Sequence, residues 1–105
     1  MDPEVIEKMI AGGRDSYESR LAAGQARLKR GDIEAAIDHL EKATEHKPEQ
    51  TMAWQDLGKA CNTAGHGERA RSAWQQGVEA AIANGDKQAE KTMKVFLKRL
   101  DRGSA

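Results

Sequence analysis

Three histidines and one cysteine are the residues of this 105-residue chain whose types could carry metal or nucleophilic chemistry. His39 and His46 stand seven apart and would share a face of one helix, while His66 lies between Gly65 and Gly67, a turn composition. Tetrahedral zinc sites use closer pairs, such as i and i+4, and more than two ligands, so this spacing points away from a metal centre. Cys61 has no second cysteine to bridge to, and it reads as a buried apolar filler rather than a redox thiol. None of the 17 carboxylates sits in an apolar setting that would raise its pKa toward acid–base work. The glycines fall at helix ends and crossings instead of forming a phosphate loop, and no nucleophile elbow surrounds a serine. No catalytic residue, cofactor or metal is therefore expected, and the chain reads as a non-enzyme. A basic strip near the C-terminus, Lys87, Lys91, Lys94, Lys98, Arg99 and Arg102, is a candidate for contact with RNA or an anionic surface. It lacks interleaved aromatics for stacking bases, and cations near a helix C-terminus complement the macrodipole on their own account, so no nucleic-acid partner is expected.

The elements that would position these residues are helices. Charged residues make up 32% and aromatics 4%, and strong helix formers dominate. Lys plus Arg and Asp plus Glu both number 17, so no net field draws the chain to polyanions. No apolar run approaches a membrane span, and the acidic N-terminus is unlike a signal peptide; the expected location is cytoplasmic, with no membrane partner. Asp2-Pro3 opens a short helix to Ala11, which Gly12-Gly13 ends, with Ile6, Met9 and Ile10 on one face. Further helices are expected from Asp15 or Ser16 to Arg30, from Ile33 to His46 under an Asp32 cap, from Thr51 to Ala64, from Glu68 to Ala83, and from an Asp86 cap to Leu100. Pro48 and Asn84-Gly85 act as stops. No segment alternates with period two, so no strand is expected.

A shift of 34 residues lays Tyr17–Gln50 on Thr51–Asn84 with Gly24/Gly58, Ala26/Ala60, Gly31/Gly65, Glu34/Glu68, Ala36/Ala70 and Glu45/Glu79 identical. In-helix Gly24 and Gly58 each cost about 1 kcal/mol relative to Ala, a loss offset if small residues let two helices approach closely. The second unit resembles a tetratricopeptide repeat of the Trp-x-x-Leu-Gly-x-x-Tyr … Ala-x-x-x-Phe … Pro type. Trp54, Leu57, Gly58 and Ala70 match, Trp74 takes the Phe site and Cys61 the Tyr site. The first unit matches at Gly24, Ala36, Ala43 and Pro48, with Leu40 at the Phe site, but carries Arg20, Ala23 and Arg27 at the Trp, Leu and Tyr sites. Its first helix is thus expected to be less buried than usual, and the fifth helix, lacking its Pro, to run past its usual stop. More narrowly, the chain is similar to small stand-alone bacterial tetratricopeptide proteins of no assigned activity.

The resemblance implies an all-α fold of two helical hairpins, 17–50 and 51–84, closed by a capping helix at 86–101. These form a domain over 16–101, preceded by an N-terminal helix in 1–13 and followed by a tail at 102–105. Trp54 and Trp74 are expected in the core, stacking platforms being the alternative. The resemblance also implies a concave groove that binds extended peptides or helices. In the family register its exposed positions are Glu18, Leu21, Gln25, Leu28 and Lys29, then Met52, Gln55, Lys59, Asn62 and Thr63. Lys87, Glu90, Lys94 and Lys98 are the expected continuation on the last helix. Gln25, Lys29, Gln55, Lys59, Asn62, Lys94 and Lys98 are the candidate contacts, a mildly basic row suited to an acidic segment, against the plain alternative of a solvated helix face. The function expected is a protein-interaction module with an unknown protein or peptide partner. The rival is a structural role through self-association by the N-terminal helix or the array ends. The expected state is a monomer or weak homodimer.

Overall fold

The computed structural model describes residues 1–103, and among them there are six helices and no strand. They are α1 (Pro3–Ala11), α2 (Tyr17–Arg30), α3 (Ile33–His46), α4 (Thr51–Thr63), α5 (Gly67–Asn84) and α6 (Lys87–Gly103). Each packs on its neighbours in sequence, and α4 also meets α2 and α6, so α2, α4 and α6 line one face. The turns follow from local chemistry. Ser16, not Asp15, starts α2 through a reciprocal pair in which Ser16 and Ser19 cap each other's backbone N–H. Gly31 and Gly85 end α2 and α5 at φ of 83° and 69°, a left-handed conformation that favours glycine. The Asp86 carboxylate caps α6 by accepting from the Ala89 N–H at 3.0 Å.

Two expected caps differ. Asp2 and Asp32 stand at N-cap positions, but neither side chain makes a cap bond. Asp32 accepts from Arg27 at 2.8 Å and Asp2 lies 3.5 Å from Arg30, because a nearby guanidinium competes for a carboxylate better than a backbone N–H does. α5 does run long, to Asn84, and α6 continues to Gly103, past the expected end near Leu100 and into the expected tail. The rest of that tail, Ser104 and Ala105, lies outside the described residues.

The core joins Ile37 and Leu40 of α3, Leu57, Ala60 and Cys61 of α4, Ala70, Ala73 and Trp74 of α5, and Met93 of α6, with Trp54 and Phe96 packed against it. The helix crossings depend on glycine. A Cβ placed on Gly58 would fall inside the indole of Trp74, and one placed on Gly24 would lie 2.7 Å from the Leu40 side chain. The in-helix glycines therefore accommodate the large residue at the Phe site of the partner helix. Ala36 and Ala70, one turn earlier, are buried and keep the crossing narrow. The Trp74 Nε1–H donates to the Gln55 carbonyl at 3.1 Å, and its ring meets Phe96 at 5.1 Å between centroids.

Only three residues of α2 are fully buried, Tyr17, Ala23 and Gly24, against six of α4. Yet Arg20 and Arg27, at the Trp and Tyr sites, are not exposed: their side chains retain 18% and 19% of their accessibility. α1 covers Arg27 through Glu4 and Glu7, while Asp15 and His39 hold Arg20, so α2 is less buried than α4 as expected but not at these two residues. The Arg27 guanidinium donates to both oxygens of Glu7, at 3.0 and 2.6 Å, and to Asp32.

Gly58→Ala should destabilise the fold by about 1–3 kcal/mol despite Ala's better helix propensity, because the indole is rigid and anchored at Gln55. Gly24→Ala should cost less, since the Leu40 side chain can change rotamer. Urea melts of the two variants check the order; equal costs would show that the Trp74 notch does not set the crossing.

Candidate partner-binding groove

α2, α4 and α6 present one polar face because each buries an apolar stripe against α3 or α5. On α4 the groove side carries Lys59, Asn62 and Thr63, all exposed. They border a cleft of 260 Å³ whose other walls are Trp74, Phe96 and Arg99. A second depression of 250 Å³ continues from it along α6, sharing Phe96 and Arg99 and adding Gln88, Lys91, Thr92 and Val95. Lys94 and Lys98 do not join Lys59: they line a separate depression with Lys87, Glu90, Lys91 and Val95.

The reason is a register change. α6 begins at Lys87 where α4 begins at Thr51, an offset of 36 instead of 34, because α5 outruns α3. At this offset Ala53, Leu57, Ala60, Cys61 and Ala64 of α4 fall on Ala89, Met93, Phe96, Leu97 and Leu100 of α6, apolar at every position. Lys94 then stands where α4 has Gly58, the residue that faces α4's own partner helix. Arg99 and Lys91 are the cations that extend the groove; aligning the two apolar stripes would have found them in the sequence.

The remaining candidates divide. Lys29 is exposed at the end of α2. Gln25 is exposed but engaged, its Nε2 donating at 2.9 Å to the buried carboxylate of Asp56. Gln55 is half-buried and gives its carbonyl to Trp74. Leu21 and Leu28 pack on the core, Met52 is exposed, and Glu18 pairs with Lys47 at 3.1 Å.

The histidines of α3, the cysteine and the two tryptophans are held in structural contacts. His39 lies between Arg20, whose Nη1 is 3.1 Å from Nδ1, and Glu7, 2.7 Å from Nε2. A guanidinium can only donate, so Nδ1 accepts and Nε2 carries the proton toward Glu7. His46 meets Asp15 at 2.8 Å, apart from His39. Cys61 is buried, and that burial pushes its thiol above the usual range. Trp74 is buried; Trp54 is half-buried and donates to the Pro48 carbonyl at 2.8 Å. Among the described residues no helix is long and apolar enough to cross a membrane.

A TPR repeat-containing protein of Pseudomonas aeruginosa is 46% identical over 99 residues, 94% of either chain. The chain belongs to the tetratricopeptide repeat family. The tetratricopeptide repeat profile matches residues 18–60. The solution structure of a Bordetella parapertussis protein is 37% identical, with a TM-score of 0.82 over 98% of this chain and 90% of that one. Crystalline MamA has the same fold at 20% identity and a TM-score of 0.69, covering 95% of this chain and 65% of its own. Tetratricopeptide proteins are generally binding modules for other proteins and not enzymes.

The α1 seam has a pH signature. Arg27 holds Glu7 down to about 2; partial burial opposes this and His39 adds to it. The unfolded chain therefore takes up this proton first, so the seam's stability is present above the ordinary carboxylate pKa of about 4.3 and is lost as pH falls toward 2. Glu7→Gln should be less stable than the parent at pH 7 and should lose less on acidification through that window. Urea melts at a series of pH values test this, the difference between the two profiles isolating Glu7 from Asp15, which Arg20 and His46 also hold low. Parallel profiles would contradict it.

Proposed function

We propose that this chain is a protein-interaction scaffold that receives an acidic extended segment or acidic helix along the face of α2, α4 and α6. The observation that carries the reading is the cleft of Lys59, Asn62 and Arg99 over Phe96, extended by Lys91. Lys29, Lys59, Lys91 and Arg99 make no ion pair among the described residues, whereas Glu18 is neutralised by Lys47 and Asp56 is buried under Gln25. A face with free cations and engaged carboxylates favours a partner that brings carboxylates. Arg99 offers a planar, two-pronged donor, Lys59 a mobile point charge and Asn62 both a donor and an acceptor. Phe96 and the exposed part of Val95 supply apolar ground between them.

A second reading, self-association through α1, draws on a different observation. Met1, Ile6 and Met9 of the N-terminal segment and Ala22 of α2 border an apolar cleft of 450 Å³ at the start of the array. Its contacts would be insensitive to salt.

The groove reading is tested by titrating a labelled Glu-rich peptide, with a Gln-rich peptide of the same length as control. Lys59→Glu with Arg99→Glu should weaken the Glu-rich peptide by about tenfold or more, since two exposed charge contacts become repulsions. Both side chains are exposed, so thermal stability should move little, by about 0.5 kcal/mol at most. Equal binding of the two peptides, or undiminished binding by the double variant, would end the groove reading.

A further inference from the structure

The depression lined by Lys87, Glu90, Lys91, Lys94, Val95 and Lys98 lies on α6 alone and measures 500 Å³. In α4 the residue corresponding to Lys94 is Gly58, which Trp74 of α5 covers, whereas Lys94 is exposed, and among the described residues α6 packs only on α5 and α4. Lys87, Lys91, Lys94 and Lys98 run along it with spacings of 4, 3 and 4 residues, so they form one straight stripe. α3 carries its mirror in charge: Glu34, Asp38, Glu41 and Glu45 repeat the same 4, 3 and 4 spacing on the outer side of the array. Three of the four acids are exposed and Glu41 is half-exposed.

Competing partners within the chain are few. Glu41 meets Arg69 at 2.8 Å, Glu34 meets His66 at 3.7 Å, Glu45 meets Lys42 at 3.6 Å and Lys94 meets Glu90 at 2.6 Å. Asp38, Lys87, Lys91 and Lys98 make no ion pair among the described residues. Asp101 on α6 is held by Arg71 of α5. The two stripes do not touch in one copy, since α3 and α6 are not in contact. The imbalance extends to the whole chain: residues 1–50 hold eight basic and eleven acidic side chains, residues 51–105 nine and six. Zero net charge thus conceals one acidic half and one basic half, an arrangement that draws copies together in a fixed relative orientation.

We propose that copies of this chain associate by laying the acidic stripe of α3 of one copy along the basic stripe of α6 of another. The occupant of the uncovered α6 face is a second copy, chosen by matched spacing and opposite sign. Exposed ion pairs are individually weak, so the contact is transient and salt-dependent. It shares Lys91 and Val95 with the border of the peptide groove but is centred on Lys87, Lys94 and Lys98, which that groove does not use, and it does not depend on the groove being occupied.

Sedimentation velocity over a concentration series tests this. Association should appear at about 0.05 M salt and disappear at about 0.5 M, where the Debye length is only about 4 Å. Lys87→Glu with Lys98→Glu should weaken association about tenfold or more, and so should Glu34→Lys with Glu45→Lys. All four residues are exposed, and circular dichroism confirms that each variant is folded. Combining all four changes in one chain exchanges the signs at both ends of both stripes. It should restore association to within about threefold whether the helices run parallel or antiparallel, a recovery that lost folding cannot mimic. A wild-type chain that stays monomeric at low salt would overturn the proposal. So would association that survives high salt, the signature of the apolar α1 cleft, or a four-fold variant no better than its parents. Lys59→Glu with Arg99→Glu should leave association unchanged, which separates failure here from failure of the groove reading.

Discussion

The seating of Trp74 on Gly58 governs the groove face. With no Cβ at position 58, the indole lies directly against the α4 backbone, and its N–H finds the Gln55 carbonyl one turn earlier. That bond matters because an indole N–H left unpartnered at such depth would cost on the order of 1–3 kcal/mol. The same ring tilts against Phe96, so the residue that fixes the angle between α4 and α5 also sets where α6 lies. Arg99, three residues beyond Phe96 and on the same side of α6, is thereby brought opposite Lys59 and Asn62. The polar face is rigid for an apolar reason.

The other end of the array rests on charge. Where a tetratricopeptide repeat places Trp and Tyr, Arg20 and Arg27 meet the acids of α1 and of the adjoining loops, with His39 joining Glu7 to Arg20 across α3. Replacing apolar packing with largely covered ion pairs adds little stability, because desolvation consumes most of the Coulombic gain. It does impose register. An apolar strip tolerates a helix sliding by a turn, whereas Glu7 reaches Arg27 and His39 together in one position only. A nine-residue helix, too short to be stable alone, is fixed in place by that specificity together with the burial of Pro3 and Ile6.

The fold was legible because its punctuation is chemical. Gly31, Gly85 and Pro48 can do little else where they stand, and the 34-residue match aligns glycines that a helix interior would otherwise avoid. The groove was half legible. Lys59 and Asn62 follow from the repeat register, but Lys94 does not, because α5 continues to Asn84 and carries the next helix two positions further round, and Lys98 lines the depression of Lys94 and not the cleft of Lys59. Arg99 is masked in the sequence, because a cation near a helix C-terminus has a sufficient local explanation in the macrodipole. Arg20 and Arg27 at apolar family sites point, in the sequence alone, to a less buried helix. Arg27 is covered by Glu4 and Glu7 of a helix outside the repeat and Arg20 by Asp15 and His39, contacts that the repeat register does not contain.

Lys94 also sets how closely another helix can approach α6. α5 approaches α4 closely only because Gly58 leaves room; with lysine at the corresponding site of α6, no helix can come that near. Lysines at such positions lay their aliphatic stems along a helix surface and keep their ammonium groups in water, as Lys87, Lys91, Lys94 and Lys98 are spaced to do on α6. The same residues limit what can bind there. A partner on this side stands off by the length of a lysine, so its contact is charged and hydrated instead of dry and apolar. A helix seated on this side as closely as α5 sits on α4 would need a small residue at position 94, where the chain carries lysine.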